Sequence, residues 1–297
     1  MSLRTPLIPF LLVFATIAAS AAGLPERRTV SVFGQHIAYF EAGSGPTVVL
    51  LHGLGSSADR DWGACIEALA AHHHVLAPDQ LGFGASDKPL IEFGIQTWVD
   101  MLGEFLRVKQ VKDFTLAGES LGGWIAALYT LQSLGPAPTA GPAFALPPPR
   151  RLILVDAAGH RKLAEWIVSG TGGATSLAGA KALLGAIYFD PKRASESAVR
   201  AQFEQNLGKG DGWTIHALAS NKDIVGESLD DRLGAVSVPT LVVWGAQDTL
   251  IPLADGRDYA AKIPGARLVI IPDSGHAPAI EQPDAFLAAA LAFIDAP

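Results

Sequence analysis

The chain has 297 residues, 49% hydrophobic and 17% charged, which is enough apolar material for one large core and too little charge for a disordered chain. Its formal net charge of -7, with no run of lysines or arginines beyond short pairs such as Arg27-Arg28 and Arg150-Arg151, excludes the footprint of a nucleic-acid binder and favours neutral or cationic small molecules over polyanions. The single cysteine, Cys65, excludes intramolecular disulfides and a thiol-based metal centre.

The first element is a leader. Arg4 precedes an uncharged stretch from Thr5 to Pro25, apolar from Leu7 to Ala19, and Ala19-Ser20-Ala21 matches a small-residue cleavage site. Residues 1–22 therefore read as a secretory signal. The competing reading is an uncleaved anchor, since the uncharged stretch nearly suffices to span a bilayer. No cysteine follows that a lipid could modify. Export without disulfides predicts a periplasmic or secreted protein with no membrane span once the leader is removed.

Thr29 to Phe33 and His36 to Glu41, joined at Gly34-Gln35, read as an antiparallel hairpin. Thr47-Val48-Val49-Leu50-Leu51 is a continuous apolar run of the kind found in strands covered on both faces. Helix and strand patterns then alternate: Trp62 to Ala71 helical, His74 to Ala77 a strand, Thr97 to Val108 helical, Phe114 to Ala117 a strand. Arg151 to Val155, Thr240 to Trp244 and Arg267 to Ile271 give three further buried strands, and Asp284 to Ile294 a closing helix. This alternation predicts an α/β fold with a mostly parallel sheet flanked by helices.

Two segments break the rhythm. Leu134 to Pro149, rich in proline, glycine and alanine, reads as a surface excursion. From about Ala157 to Ser237 no strand pattern occurs, only short helical stretches at Lys162 to Ser169, Ala178 to Phe189, Ala194 to Gln205 and Trp213 to Ser220. That is a helical insertion.

Ser120 stands between Gly118 and Gly122 where the Phe114 strand meets a helix-forming run. It reads either as an N-cap or as a nucleophile held on a strained turn, with glycines where side chains would clash. Ligands of an open parallel sheet sit at the carboxyl ends of its strands. There the sequence places His52-Gly53-Leu54-Gly55, Ser120, Asp248 after the Thr240 strand, and His276 after the Arg267 strand.

Serine, acid and histidine in that order, with the stretches LLHGLGSS, APDQLGFGASDKP, LAGESLGG, LVVWGAQDTLIP and IPDSGHAP, resemble the α/β-hydrolase superfamily over nearly everything after the leader. The resemblance implies an eight-stranded sheet, with core residues 23–156 and 237–297 and a helical cap over residues 157–236. It implies Ser120 as nucleophile, His276 as base and Asp248 as the acid that orients the imidazole. The oxyanion donors would be the backbone N–H groups of Leu54 and Leu121. Asp156, at the end of the Arg151 strand, is the competing acid.

Asp79 is expected to brace a loop, His52 to orient its turn, and Glu119 to face outward. Trp166, Tyr188, Phe189, Phe203 and Trp213 are candidates to line an acyl or alcohol pocket, or else to pack the cap. No cofactor and no metal is expected; the His72-His73-His74 run points to alternate faces on entering its strand. The expected activity is hydrolysis of carboxylic esters of small to medium apolar substrates through an acyl-enzyme. The alternatives are carbon-carbon bond hydrolysis of ring-cleavage diketones and a non-catalytic small-molecule sensor. Ser120 argues against the dehalogenases and epoxide hydrolases, where aspartate stands at this position, and Leu121 against the proline iminopeptidases.

Overall fold

The computed structural model describes residues 23–135, 145–169 and 176–296, so the leader at residues 1–22 lies outside the described residues. β1 (Arg28–Val32) and β2 (Gln35–Ala42) pair antiparallel, turned at Phe33 and Gly34, both at positive φ. β3 (Thr47–Leu51), α1 (Ala58–Ala70), β4 (His74–Pro78), α2 (Ile95–Val108), β5 (Phe114–Glu119), α3 (Leu121–Leu134) and β6 (Arg151–Val155) then alternate. Next come α4 (Arg161–Val168), α5 (Leu177–Ile187), α6 (Glu196–Gly208) and α7 (Asp211–Ser220). β7 (Thr240–Gly245), α8 (Leu253–Lys262), β8 (Arg267–Ile271), α9 (Pro278–Glu281) and α10 (Pro283–Ile294) close the described chain.

The strands form one eight-stranded sheet in the order β1-β2-β4-β3-β5-β6-β7-β8. β2 is antiparallel to β4, and every pairing from β4 to β8 is parallel. Successive side chains of the central strands enter opposite cores. Val49, Leu51, Leu116, Leu154 and Trp244 join the core built with α2, α3 and α8, whereas Val48, Leu50, Ala117, Ile153 and Val243 join the core built with α1 and α10. Burial on both faces is why these strands read as unbroken apolar runs; each such side chain contributes at most ~1.5–3 kcal/mol.

Two elements depart from the sequence reading. β8 is an edge strand, not a fully buried one: Ile270 is 38% exposed, and only Ile271 is buried within it. The apolar string of Arg267 to Ile271 gives no sign that one edge lacks a partner. α8 has no counterpart in the sequence reading, because LADGRDYAAK carries no apolar stripe and buries only Gly256 and Tyr259. Gly256 lets this helix lie on the sheet; a Cβ there would come within 2.5 Å of the Trp244 ring. Among the described residues, no helix is long and apolar enough to cross a membrane.

Candidate active site

β5 ends at Glu119, and α3 begins at Leu121, so Ser120 must turn the chain within one residue. It does so at φ 52 and ψ -116, a conformation sparsely populated for any side chain-bearing residue. The turn needs its glycines. A Cβ on Gly118 would stand 2.2 Å from the Gly122 carbonyl oxygen, and one on Gly122 would stand 2.3 Å from the Leu51 carbonyl oxygen. Backbone bonds hold the strain: Ser120 N–H donates to the Val155 carbonyl at 2.9 Å, and Ala158 N–H donates to the Ser120 carbonyl at 2.9 Å. The Ser120 hydroxyl makes no capping bond to the helix.

The HGLG turn after β3 is fixed by side chains beneath it. Gln80 N–H donates to His52 Nε2 at 2.9 Å, so the ring proton lies on Nδ1, which faces the Gly53 carbonyl at 2.8 Å. Gly53 N–H donates to Asp61 Oδ2 at 2.8 Å, and the Ser56 hydroxyl donates to Asp61 Oδ1. Asp79 receives the N–H groups of Ala58 and Ala85, both at 2.8 Å, and so ties the start of α1 to the loop after β4. Leu54 and Leu121 both line the cavity that contains Ser120.

Beyond β7 and β8 the acid and the imidazole meet. His276 Nδ1 lies 2.7 Å from Asp248 Oδ2, and the other oxygen of Asp248 accepts the N–H groups of Leu250 at 2.8 Å and Ile251 at 2.9 Å. An imidazole that gives its Nδ1 proton to a carboxylate keeps a lone pair on Nε2. That nitrogen is buried and has no protein partner among the described residues. Gly245 allows this approach, because a Cβ there would stand 1.8 Å from the Gly275 carbonyl oxygen.

Asp156 stands behind this pair instead of against the imidazole. Its Oδ1 accepts from Gly245 N–H at 2.9 Å, and its Oδ2 is buried. Burial first, and the Asp248 carboxylate second, push its pKa well above the usual carboxylate range. Each of Asp156, Asp248 and His276 offers one ligand atom within 4.8 Å of the others, but the hydrogen bonds just described already engage the imidazole Nδ1 and both oxygens of Asp248. The histidine run does not converge: His73 Nε2 meets Asp295 at 3.0 Å, and His74 Nε2 meets Glu41 at 2.9 Å.

Glu119 does not face outward. It is 4% exposed, lines the cavity, and has one oxygen without a partner; burial above all, then the Asp61 charge, raise its pKa well above the usual range. A residue preceding a tight turn at the end of a central strand has no solvent to reach. Cys65 is no rival nucleophile, since burial above all pushes its thiol up to about 12.

The cavity measures about 120 Å³, and its walls above Ser120 come from α4 to α7. Trp166 and Tyr188 line it, with Leu163, Ile167, Leu183 and Ile187. Phe189 and Trp213 do not: they are 47% and 45% exposed, Trp213 lying beside His216. Phe203 packs on the small helical core of Ala180, Leu184 and Val199. Aromatic type alone cannot separate the inner from the outer side of short helices.

Three further residues carry weight that no motif announced. Glu281 accepts Gly275 N–H at 2.7 Å and Phe189 N–H at 2.8 Å, which staples the segment after α5 to the histidine loop. The same junction has His276 N–H donating to the Ile187 carbonyl at 2.6 Å. Arg60, on α1, donates to Gln202, on α6, across the cavity wall.

The comparisons with known proteins follow this geometry. A family model described as "Alpha/beta hydrolase family" matches residues 48–290. An uncharacterized protein of Mycobacterium tuberculosis is 28% identical over 295 residues, covering 91% of this chain and 82% of that protein. The 2-hydroxy-6-oxo-6-(2'-aminophenyl)hexa-2,4-dienoic acid hydrolase of Metapseudomonas resinovorans is 27% identical, covering 90% of each chain. Among solved structures, a membrane phospholipase A described as a bacterial virulence factor superposes with a TM-score of 0.71 at 27% identity, covering 92% of this chain and 86% of that one.

Proposed function

Because the chain belongs to the alpha/beta hydrolase family, we propose that it is a serine hydrolase that cleaves carboxylic esters of small to medium, fairly apolar substrates through an acyl-enzyme. The observation that carries this reading is the state of His276: its Nδ1 is held by Asp248, and its Nε2 is buried without a partner. A base in that tautomer is ready to take a hydroxyl proton.

The steps follow from that. The Ser120 oxygen attacks the ester carbonyl carbon while its proton passes to His276 Nε2, and the carbonyl π electrons move to the oxygen. The backbone N–H groups of Leu54 and Leu121 hold that oxyanion; losing one such donor typically costs ~3 kcal/mol of barrier. As the carbonyl re-forms, the alcohol leaves with the proton from His276, and Ser120 remains acylated. Water then attacks the acyl carbon, giving its proton to His276, and Ser120 leaves with that proton as the acid is released.

The apolar walls contributed by Leu163, Ile167, Leu183 and Ile187 support an apolar acyl or alcohol group. The membrane phospholipase A neighbour supports ester chemistry, and the dienoic acid hydrolase supports the second reading, cleavage of a carbon-carbon bond in a ring-cleavage diketone. Side-by-side turnover of a short-chain nitrophenyl ester and a vinylogous 1,5-diketone tests the choice. Faster ester turnover is expected; turnover of the diketone alone overturns the ester assignment, and equal inertness of wild type and Ser120→Ala with ligand binding intact supports a sensor. We also propose export directed by residues 1–22, which cytoplasmic retention of a leader-reporter fusion would contradict.

A further inference from the structure

Arg60, Tyr188 and Gln202 line the catalytic cavity on one side and a second, outer groove of about 420 Å³ on the other. The two spaces therefore share a wall. That wall is built of side chains: Arg60 donates to Gln202, Gln202 Nε2 lies 3.2 Å from Asn206 Oδ1, and Tyr188 stands beside them in both linings. Such a partition is made of rotatable groups, not of backbone.

The two spaces differ in character. The inner one is lined mostly by apolar side chains, with Arg60, Asp61 and Glu119 among the few charged ones, whereas the outer one is ringed by Arg60, Lys192 and Arg193. Among the described residues, none of these three cations has a carboxylate in salt-bridge contact. The acids close to them are engaged elsewhere: Asp59, which also lines the groove, pairs with Arg27 at 2.9 Å, and Asp190 caps its own turn by accepting Lys192 N–H at 3.0 Å. The 13-residue α6 starts at this groove, with Ser195 and Ala198 in its lining; the Ser195 hydroxyl caps it by accepting Ala198 N–H, and Glu196 stands in its first turn. In a chain of net charge -7, Lys192 and Arg193 beside Arg60, none in salt-bridge contact with a carboxylate among the described residues, make a local reversal of sign around this groove.

We infer that this groove receives the anionic end of an amphiphilic substrate, an ester apolar on one side of its scissile carbonyl and bearing a phosphate, sulfate or carboxylate on the other. The apolar part lies among Leu163, Ile167 and Leu183, the carbonyl at Ser120, and the anion reaches Lys192 and Arg193 past the Arg60–Gln202 wall. The word substrate rests on the hydrolase reading above; the binding of an anionic amphiphile does not.

The test is calorimetric binding of hexyl phosphate, hexanol and inorganic phosphate to the wild-type protein and to the K192E/R193E variant. Hexyl phosphate is expected to bind wild type about tenfold or more tightly than either fragment, and that advantage is expected to collapse in the variant and in high salt. Equal affinity for hexyl phosphate and inorganic phosphate overturns the proposal in favour of a free-anion site. An advantage that survives charge reversal also overturns it. Arginine-to-lysine replacement at Arg193 keeps the charge and is expected to keep the advantage, which separates charge from misfolding. Ester turnover measured in parallel keeps the two claims apart: binding as expected without ester cleavage contradicts the hydrolase reading alone.

Discussion

His276 Nδ1 lies 2.7 Å from Asp248 Oδ2, with both side chains buried, whereas Asp156 stands behind Asp248, one oxygen accepting Gly245 N–H and the other buried without a partner among the described residues. Burial, and then the Asp248 carboxylate, raise the pKa of Asp156 well above the usual carboxylate range. Asp248→Asn is expected to lower kcat by about 10⁴, because an amide cannot hold the imidazole in its working tautomer. Asp156→Asn keeps an oxygen to accept Gly245 N–H and leaves the Asp248–His276 bond in place, so it is expected to stay within about tenfold of wild type. Steady-state kinetics on one ester checks both, and a larger loss for Asp156→Asn would reverse the assignment.

Gly122→Ala puts a Cβ 2.3 Å from the Leu51 carbonyl oxygen and 2.7 Å from that of His52, two backbone atoms that cannot move aside singly. The expected cost is on the order of 3 kcal/mol, or about 6–12 °C in Tm. Thermal melting followed by circular dichroism measures it. An unchanged Tm would mean that the turn at Ser120 is looser than described.

Glu119 gives a pH signature. Its folded pKa is raised, first by burial and then by Asp61, so above about 4.5 the unfolded chain gains by ionising a group that the folded protein keeps neutral. Native stability contributed by this group falls as pH rises from there toward the folded pKa. Glu119→Gln removes the effect, so the variant's Tm minus the wild-type Tm is expected to grow between pH 5 and pH 8. A gap that shrinks with pH would show that Glu119 is charged in the folded protein.

Glu41 gives the opposite sign. Burial alone would raise its pKa, but the hydrogen bonds from His74 and Lys109 and the charges of Lys109 and Arg28 outweigh it and bring it to about 2. Its contribution is present above its ordinary value of 4.5 and is lost as pH falls through about 2. Wild type is expected to melt above Glu41→Gln at pH 6, with the difference closing toward pH 2. A difference independent of pH would rule out the ion pairs as its source.

The sequence speaks plainly where physics leaves a local trace. β3, β5, β6 and β7 are buried on both faces, so their apolar runs stand out, and the glycines around Ser120 mark a turn where no side chain fits. α8 leaves no trace because most of its length faces water, and the exposure of β8 depends on having no further strand beside it. The cavity wall is harder still. Arg60 and Gln202 are 142 positions apart, and nothing near either residue says that they meet. Glu119 misleads for a related reason: a charged residue reads as surface until the sheet around it is known.

The most direct test is the mass of the intact protein after exposure to an alkyl fluorophosphonate, which reacts with a serine only where a base removes its proton. One adduct is predicted, mapped by peptide digestion to Ser120 and absent from both Ser120→Ala and His276→Ala proteins that remain folded. Folded wild type that takes up no label at Ser120, or a Ser120→Ala protein that still turns over ester at the wild-type rate, would contradict the account.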